Sequence, residues 1–571
     1  VKKYLKTTFA TVLLSAAIAT SALPAARADG EPAGAPATLQ SYTLNDSLRV
    51  EVKSVLNERV KDGTRLGAVV RLTNTTGKLT RVPDYELRLK TEDGTEYTLQ
   101  PSATNVPSVN GKATRELSYM LTVDRSDDIK IADIEWVDVD LYVYPKKETL
   151  MLDIPAAGMI WEGKESAIED SNAMRKWGES FTLPSLNSPL VYKPVDLTRD
   201  FNGQSPVSVV QVLVENPTSD RQALPDLAMD GKSATDVYSG QLVEQGPIVL
   251  EAGEKRYVHF AIQTDIDTVL QSLNVLTVEK YASAEGQKTF NVGHLNIVLP
   301  TATVTAPSAS DAKYKLGTPI AFDKLNKIIH QNLEVSLVEL HVQDNDRDGF
   351  KTAIAKFKLL NKSDRPLPVP SFATELVSTD GYVYAGFAQA ITAQRVIPSG
   401  ATTVSYSFTV PKSQESTDLE LRLLDAQTVK PYKSVIAAIR ADAQLDDTIQ
   451  VTELNMYPFK LKMNNWTASA NFQGVYTYKL KLDLDIQQDP QAIVDSSSPK
   501  LQIDVVGSDG RVIASLPNLG LTGVNALING SNEISLSAAT TQLEIPFTFR
   551  IYESFTNTNG EVAKRLLTTL K

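Results

Sequence analysis

The run GAVVRLTN, residues 67–74, is strand-like and stops on an asparagine. VVQVLVEN (209–216) and AIAKFKLLN (353–361) do the same. Each unit alternates apolar and polar residues over five to eight positions and is rich in Val, Leu, Ile, Tyr and Thr, so these runs predict β-strands. The surroundings repeat as well. A proline follows each asparagine by nine residues, as Pro83, Pro225 and Pro370, and a loop glycine, Gly111, Gly253 or Gly400, stands 37, 37 and 39 residues past it. Each glycine precedes another alternating run, LSYMLTVD, YVHFAIQTD or VSYSFTVP.

Asp-Gly pairs fall between these landmarks at Asp93-Gly94, Asp230-Gly231 and Asp380-Gly381, and earlier turn glycines stand at Gly63, Gly203 and Gly349. Such residues predict tight turns, because glycine takes positive φ without strain and Asp and Asn tolerate it. The strand-ending asparagines are expected to serve the same purpose. A fourth, more divergent unit reads from GVYTYKLKLDLD through Asp509-Gly510 to a late strand LEIPFTFRIYE, with an insertion at 518–541.

Short alternating strands with regular turn signals predict an all-β fold of tandem immunoglobulin-like antiparallel β-sandwiches. The expected boundaries are a signal peptide over 1–28, sandwiches over 38–157, 178–300 and 312–441, and a divergent sandwich over 446–571. Between the first two, a short helix is predicted around Ser166 to Trp177. Trp161 and Trp177 are read as packing between neighbours, with a sugar-stacking platform as the sharper alternative. Thr301 to Lys313 reads as a Pro/Ser/Ala linker.

AIAKFKLLNKSDRPLPVPSFATELVSTDGYVYAGF (353–387) and VIPSGATTVSYSFTVP (396–411) resemble the telokin-like immunoglobulin-fold modules of exported Gram-positive bacterial proteins. That resemblance implies a non-catalytic role in the cell envelope and brings no functional residues with it.

The chain opens VKKYLKTTFATVLLSAAIATSALPAARADG. Lys2, Lys3 and Lys6, the apolar run from Phe9 and the Ala26-Arg27-Ala28 pattern predict a secretory signal cleaved after Ala28, and Val1 suggests a GUG start. The expected location is therefore secreted, extracellular or non-covalently held at the cell surface, with no transmembrane segment after processing. No cysteine occurs among the 571 residues, so neither disulfides, a lipid anchor nor a thiol nucleophile is available. A net charge of -11 without a basic stripe argues against nucleic acid.

HVQDNDRDGF (341–350) is the one stretch with metal-site character. Asp344, Asp346 and Asp348 stand where a calcium loop places its first, third and fifth ligands, with Gly349 at the sixth. The twelfth position is Ala355 instead of a bidentate glutamate, which excludes an EF-hand. A partial calcium site at these three aspartates is the candidate, against a plain hairpin tip.

Four histidines, His259, His294, His330 and His341, share no zinc spacing, and no nucleophile elbow or phosphate loop is present. Asp133 with Glu135, and Asp138 with Asp140, are carboxylates two apart on one strand face; a solvated face explains them better than glycoside cleavage. The chain is read as not an enzyme. The expected function is binding, adhesion or scaffolding, with a cell-wall polymer, another envelope protein or a second copy as partner. Alternatives are a calcium-stabilised self-assembling surface-layer type protein, or an enzyme or accessory subunit acting on polysaccharide.

Overall fold

The computed structural model describes residues 39–571 except 126, 165–167, 169–170, 301–311, 345–348, 445–447, 473, 524 and 539–543. The segment read as a signal peptide lies outside the described residues. Those described form β-strands joined by turns, with two short 3-10 turns and no α-helix among them.

Four hydrophobic clusters lie in succession along the chain. They draw on residues between Leu44 and Ala156, Phe181 and Leu299, Ile320 and Ala443, and Leu454 and Leu570. Each is enclosed by a curled antiparallel sheet, and the strand order recurs. In the first unit it runs Leu48–Val60, Gly63–Asn74, Thr114–Val123, Glu96–Pro101, Glu86–Thr91, Ile131–Asp140, Lys147–Pro155. The second and third units follow the same path from Val191–Asn202 to Gly286–Val298 and from Leu333–Asp344 to Ser434–Ala441. In the fourth the path breaks between Gly530–Ser537 and Val512–Leu519, leaving two four-stranded sheets.

That order corrects the reading of the fourth unit. Its supposed insertion contains Gly530–Ser537, which pairs with Tyr476–Gln488 as LSYMLTVD pairs with GAVVRLTN. The late strand, Thr548–Thr556, is instead the counterpart of Ile131–Asp140. GSNEISLS alternates polar and apolar residues like any other strand here, but the loops around it concealed the spacing.

The strand-ending asparagines do not adopt positive φ. Asn74, Asn216 and Asn361 are 0% exposed and work as amide clamps. Asn74 Nδ2 donates to the carbonyls of Lys78 and Val109, while its Oδ1 accepts from the backbone and hydroxyl of Thr76. Asn216 makes the same bonds to Asp220, Leu250 and Thr218, and Asn361 to Arg365, Val396 and Ser363. An amide supplies two donors and an acceptor at one point, which a buried loop crossing needs and a carboxylate does not offer.

Asp93-Gly94, Asp380-Gly381 and Asp509-Gly510 do form turns, closed by bonds from Gly94 N to Thr91 O, Gly381 N to Ser378 O and Gly510 N to Gly507 O, each 2.9 Å. Asp230-Gly231 does not. It lies inside the strand Leu227–Lys232, paired with Asn274 and Leu273. The glycine leaves room there for the Leu270 methyls, which would stand 2.9 Å from a Cβ.

The expected helix around Ser166 to Trp177 is absent from its described part. Ser171–Ala173 is a 3-10 turn, and Met174–Lys176 runs parallel to Asn296–Val298 as an edge strand. Backbone pairing with an open sheet edge outweighs local helix preference over so short a segment.

Candidate ligand cleft at the middle junction

Every unit carries a β-bulge at the same place, in the first strand of its first hairpin. The register shifts between Val52 and Ser54, Pro194 and Asp196, Leu337 and Glu339, and Met463 and Asn465. Before each bulge, alternate residues such as Val50 and Val52 face the core; after it the phase moves by one, to Val55. Two consecutive side chains are thereby turned outward. In the first three units this outer face meets the next unit, so the bulge sets the chemistry of the junctions.

At the first junction, Leu56, Val69 and Met120 pack against Leu276, Tyr281, Phe290 and Val292. The bulged Lys53 reaches Glu116 at 2.9 Å and Glu279 at 3.0 Å. Arg71 bonds Glu51 and Glu116. Thr277 gives its hydroxyl proton to Glu279, 2.7 Å away, so it accepts from His294 Nε2 at 2.9 Å. Burial, then the adjacent Lys53 ammonium, push the His294 imidazole down to about 4.

The third junction is also ionic. Lys356, 0% exposed, bonds Glu339 at 2.7 Å and also Glu553. Arg565 bonds Glu553 Oε2 at 2.9 Å and His341 Nε2 at 2.8 Å. A guanidinium only donates, so that imidazole nitrogen is the acceptor. Burial raises the Glu339 carboxyl, but Lys356 and Arg565 outweigh it and hold the group well below the usual carboxylate range.

At the middle junction the apolar contact is small: Val207, Val209 and Ala261 against Val429. Asp200 accepts from Lys433 N at 2.9 Å, and Tyr257 donates to Asp323 at 2.6 Å. Between these contacts lies a cleft of about 460 Å³. Along one wall Asp196, Gln211 and His259 stand side by side on three adjacent strands. The third unit contributes Leu325, Asn326, Asp425 and Ile436 to the other.

His259 is 3% exposed. Its Nδ1 lies 2.7 Å from Glu244 Oε1, and its backbone N donates to Glu244 Oε2 at 3.0 Å. The carboxylate accepts a hydrogen bond from Nδ1–H, and in that tautomer of the neutral ring Nε2 is an acceptor. Nε2 and the Asn326 Nδ2 are both buried without a hydrogen-bond partner. Asp196, 5% exposed, has its carboxyl pushed up to about 6, foremost by burial. Polar groups this enclosed are costly unless something satisfies them.

The residues singled out from sequence fall elsewhere. Asp344 is exposed at the end of the strand Leu333–Asp344, and Asp346 and Asp348 lie outside the described residues. Among the described residues no three His, Asp or Glu side chains converge to hold a metal. Trp161 is buried at the first junction against Gly293, and Trp177 packs on the second cluster. Glu135 pairs with Lys90 at 2.9 Å. His259 lies on the strand Lys255–Gln263, on a face that is covered. Its partner Glu244 carries no sequence signal, being 15 residues away in a loop. No helix among the described residues is long and apolar enough to cross a membrane.

No family model matches the chain, and no curated protein matches it. Among solved structures it is similar to a protein of unknown function from Porphyromonas gingivalis W83, at 15% identity and a TM-score of 0.13 over 45% of this chain and 100% of that one. A second is an Amycolatopsis orientalis exo-chitosanase in complex with PNP-β-D-glucosamine, at 10% identity and a TM-score of 0.11 over 91% and 92% of the two chains. Likenesses at these scores carry no argument about function.

Proposed function

We propose that this chain is a non-catalytic binding or scaffolding protein of the bacterial cell envelope, built of four immunoglobulin-like β-sandwich modules and acting outside the cytoplasmic membrane. The observation that carries the reading is the contrast among the junctions. Two are closed by buried ion pairs, which fix the spacing of their neighbours, and the middle one keeps a lined cleft. A rigid frame holding one recess is the arrangement of a binding protein, since recognition groups must be held in place to be selective.

The repeated strand order and the asparagine clamps support the modular reading, and the leader-like first 28 residues support export. Wall polymer or another envelope protein is the partner class. The test is fractionation of the native host, followed by co-sedimentation of purified protein with isolated wall material. Retention on the wall is the expected result. Polysaccharide hydrolysis that disappears on substituting one carboxylate, such as Glu135→Gln, would overturn the non-catalytic reading.

A further inference from the structure

The three junctions share a design and differ in charge balance. Among the described residues the buried lysines and arginines are Lys53, Arg71, Arg88, Lys356 and Arg565. Four of them neutralise carboxylates at the first and third junctions, and Arg88 pairs with glutamates in the first unit. None stands at the middle junction, although Asp196 and Asp425 are buried there and Glu244 is mostly covered. Arg422 is held by Glu420 at 2.6 Å, and Arg256, which lines the cleft, is half-buried and not enclosed with the carboxylates. The lysines on the rim, Lys255, Lys324 and Lys327, are exposed.

The cleft therefore joins covered carboxylates, an imidazole acceptor without a donor, and apolar walls from Val195, Leu325 and Ile436. We infer that it is the binding site of an organic cation: a primary ammonium or guanidinium on a short apolar stem, with an oxygen acceptor further along for Asn326 Nδ2. The ligand supplies the positive charge that Lys53 and Lys356 supply at the other junctions. His259 Nε2 accepts from it as His341 Nε2 accepts from Arg565, and Glu244 and Asp196 balance its charge. A bare divalent ion is disfavoured because the carboxylates do not converge. Burial raises the Asp196 carboxyl, and a cation bound beside it would lower it again.

This rests on the cleft being the recognition site. Calorimetry and thermal melts of the full chain at pH 7.5 test it, with butylguanidinium and butylammonium as probes and n-butanol and calcium chloride as controls at matched ionic strength. Saturable binding of a cationic probe with a rise in Tm is expected. Glu244→Gln and Asp196→Asn should each weaken it roughly tenfold. Asp196→Asn is the safer variant for folding, since it removes a charge that burial already disfavours. Lys479→Ala, in the fourth unit, should bind the probe as the parent does. Equal effects from butanol or calcium, affinity unchanged in both carboxylate variants, or no saturable heat would overturn the inference. Wall binding without any response to the probes would overturn it and leave the proposed function standing; the reverse pattern would do the opposite.

Discussion

At the scale of single residues, buried polar groups with full sets of partners matter most. Asn216→Ala strips the amide from a crossing where at least five bonds converge. The expected loss is about 2–4 kcal/mol in urea unfolding, because several backbone groups are orphaned together. His294 gives a pH signature. Its folded value near 4 lies below the ordinary 6.5, so its contribution is complete above 6.5 and fades as pH falls toward 4. About 2–3 kcal/mol should go over that window. His294→Gln, which keeps a donor for Thr277, should flatten that part of the stability curve. Parallel curves for both proteins between pH 7.5 and 4.5 would refute the assignment. The recurring asparagines were visible in sequence because their spacing is regular, but spacing could not distinguish a bend in the backbone from a buried amide holding two loops.

Among the elements, the bulged strand and the seat for Trp161 are decisive. Gly293 lies so close to the indole that a Cβ would stand 2.3 Å from it. Gly293→Ala should displace Trp161 and lower stability by about 1–3 kcal/mol through overpacking. Tryptophan fluorescence should shift to the red; an unmoved spectrum with an unmoved Tm would count against this seat. The strands were legible because short apolar-rich runs recur between regular turn signals, whereas the bulges were not. A bulge changes the phase of burial by one residue and leaves composition untouched, so nothing in the sequence marks Asp196 and Glu339 as buried. Asp230-Gly231 misled for a related reason: the same dipeptide suits a turn or a close approach of side chains.

Over the whole molecule, the junctions join residues far apart in the chain. Lys53 and Glu279 are 226 positions apart, and His341 and Arg565 are 224. No local pattern announces such pairs. Glu553→Gln should leave Lys356 and Arg565 short of charge in a covered site and cost about 3–5 kcal/mol. Calorimetry should then resolve a separate transition for the fourth unit; one sharp transition at the parental temperature would argue against this coupling.

The first-hairpin face that receives a neighbour in three units is bare in the fourth. There the bulge presents Asn464 and Asn465 to solvent, beside Lys479 and Glu533. At the opposite end, the strand Lys147–Pro155 that would receive a preceding unit is largely exposed and lies beside Arg88 and its glutamates. Stacking is directional, front on back, and such geometry propagates into filaments wherever both ends stay adhesive. Both of these faces carry hydrated polar groups, so two copies of the chain should not associate front to back along this axis at high concentration.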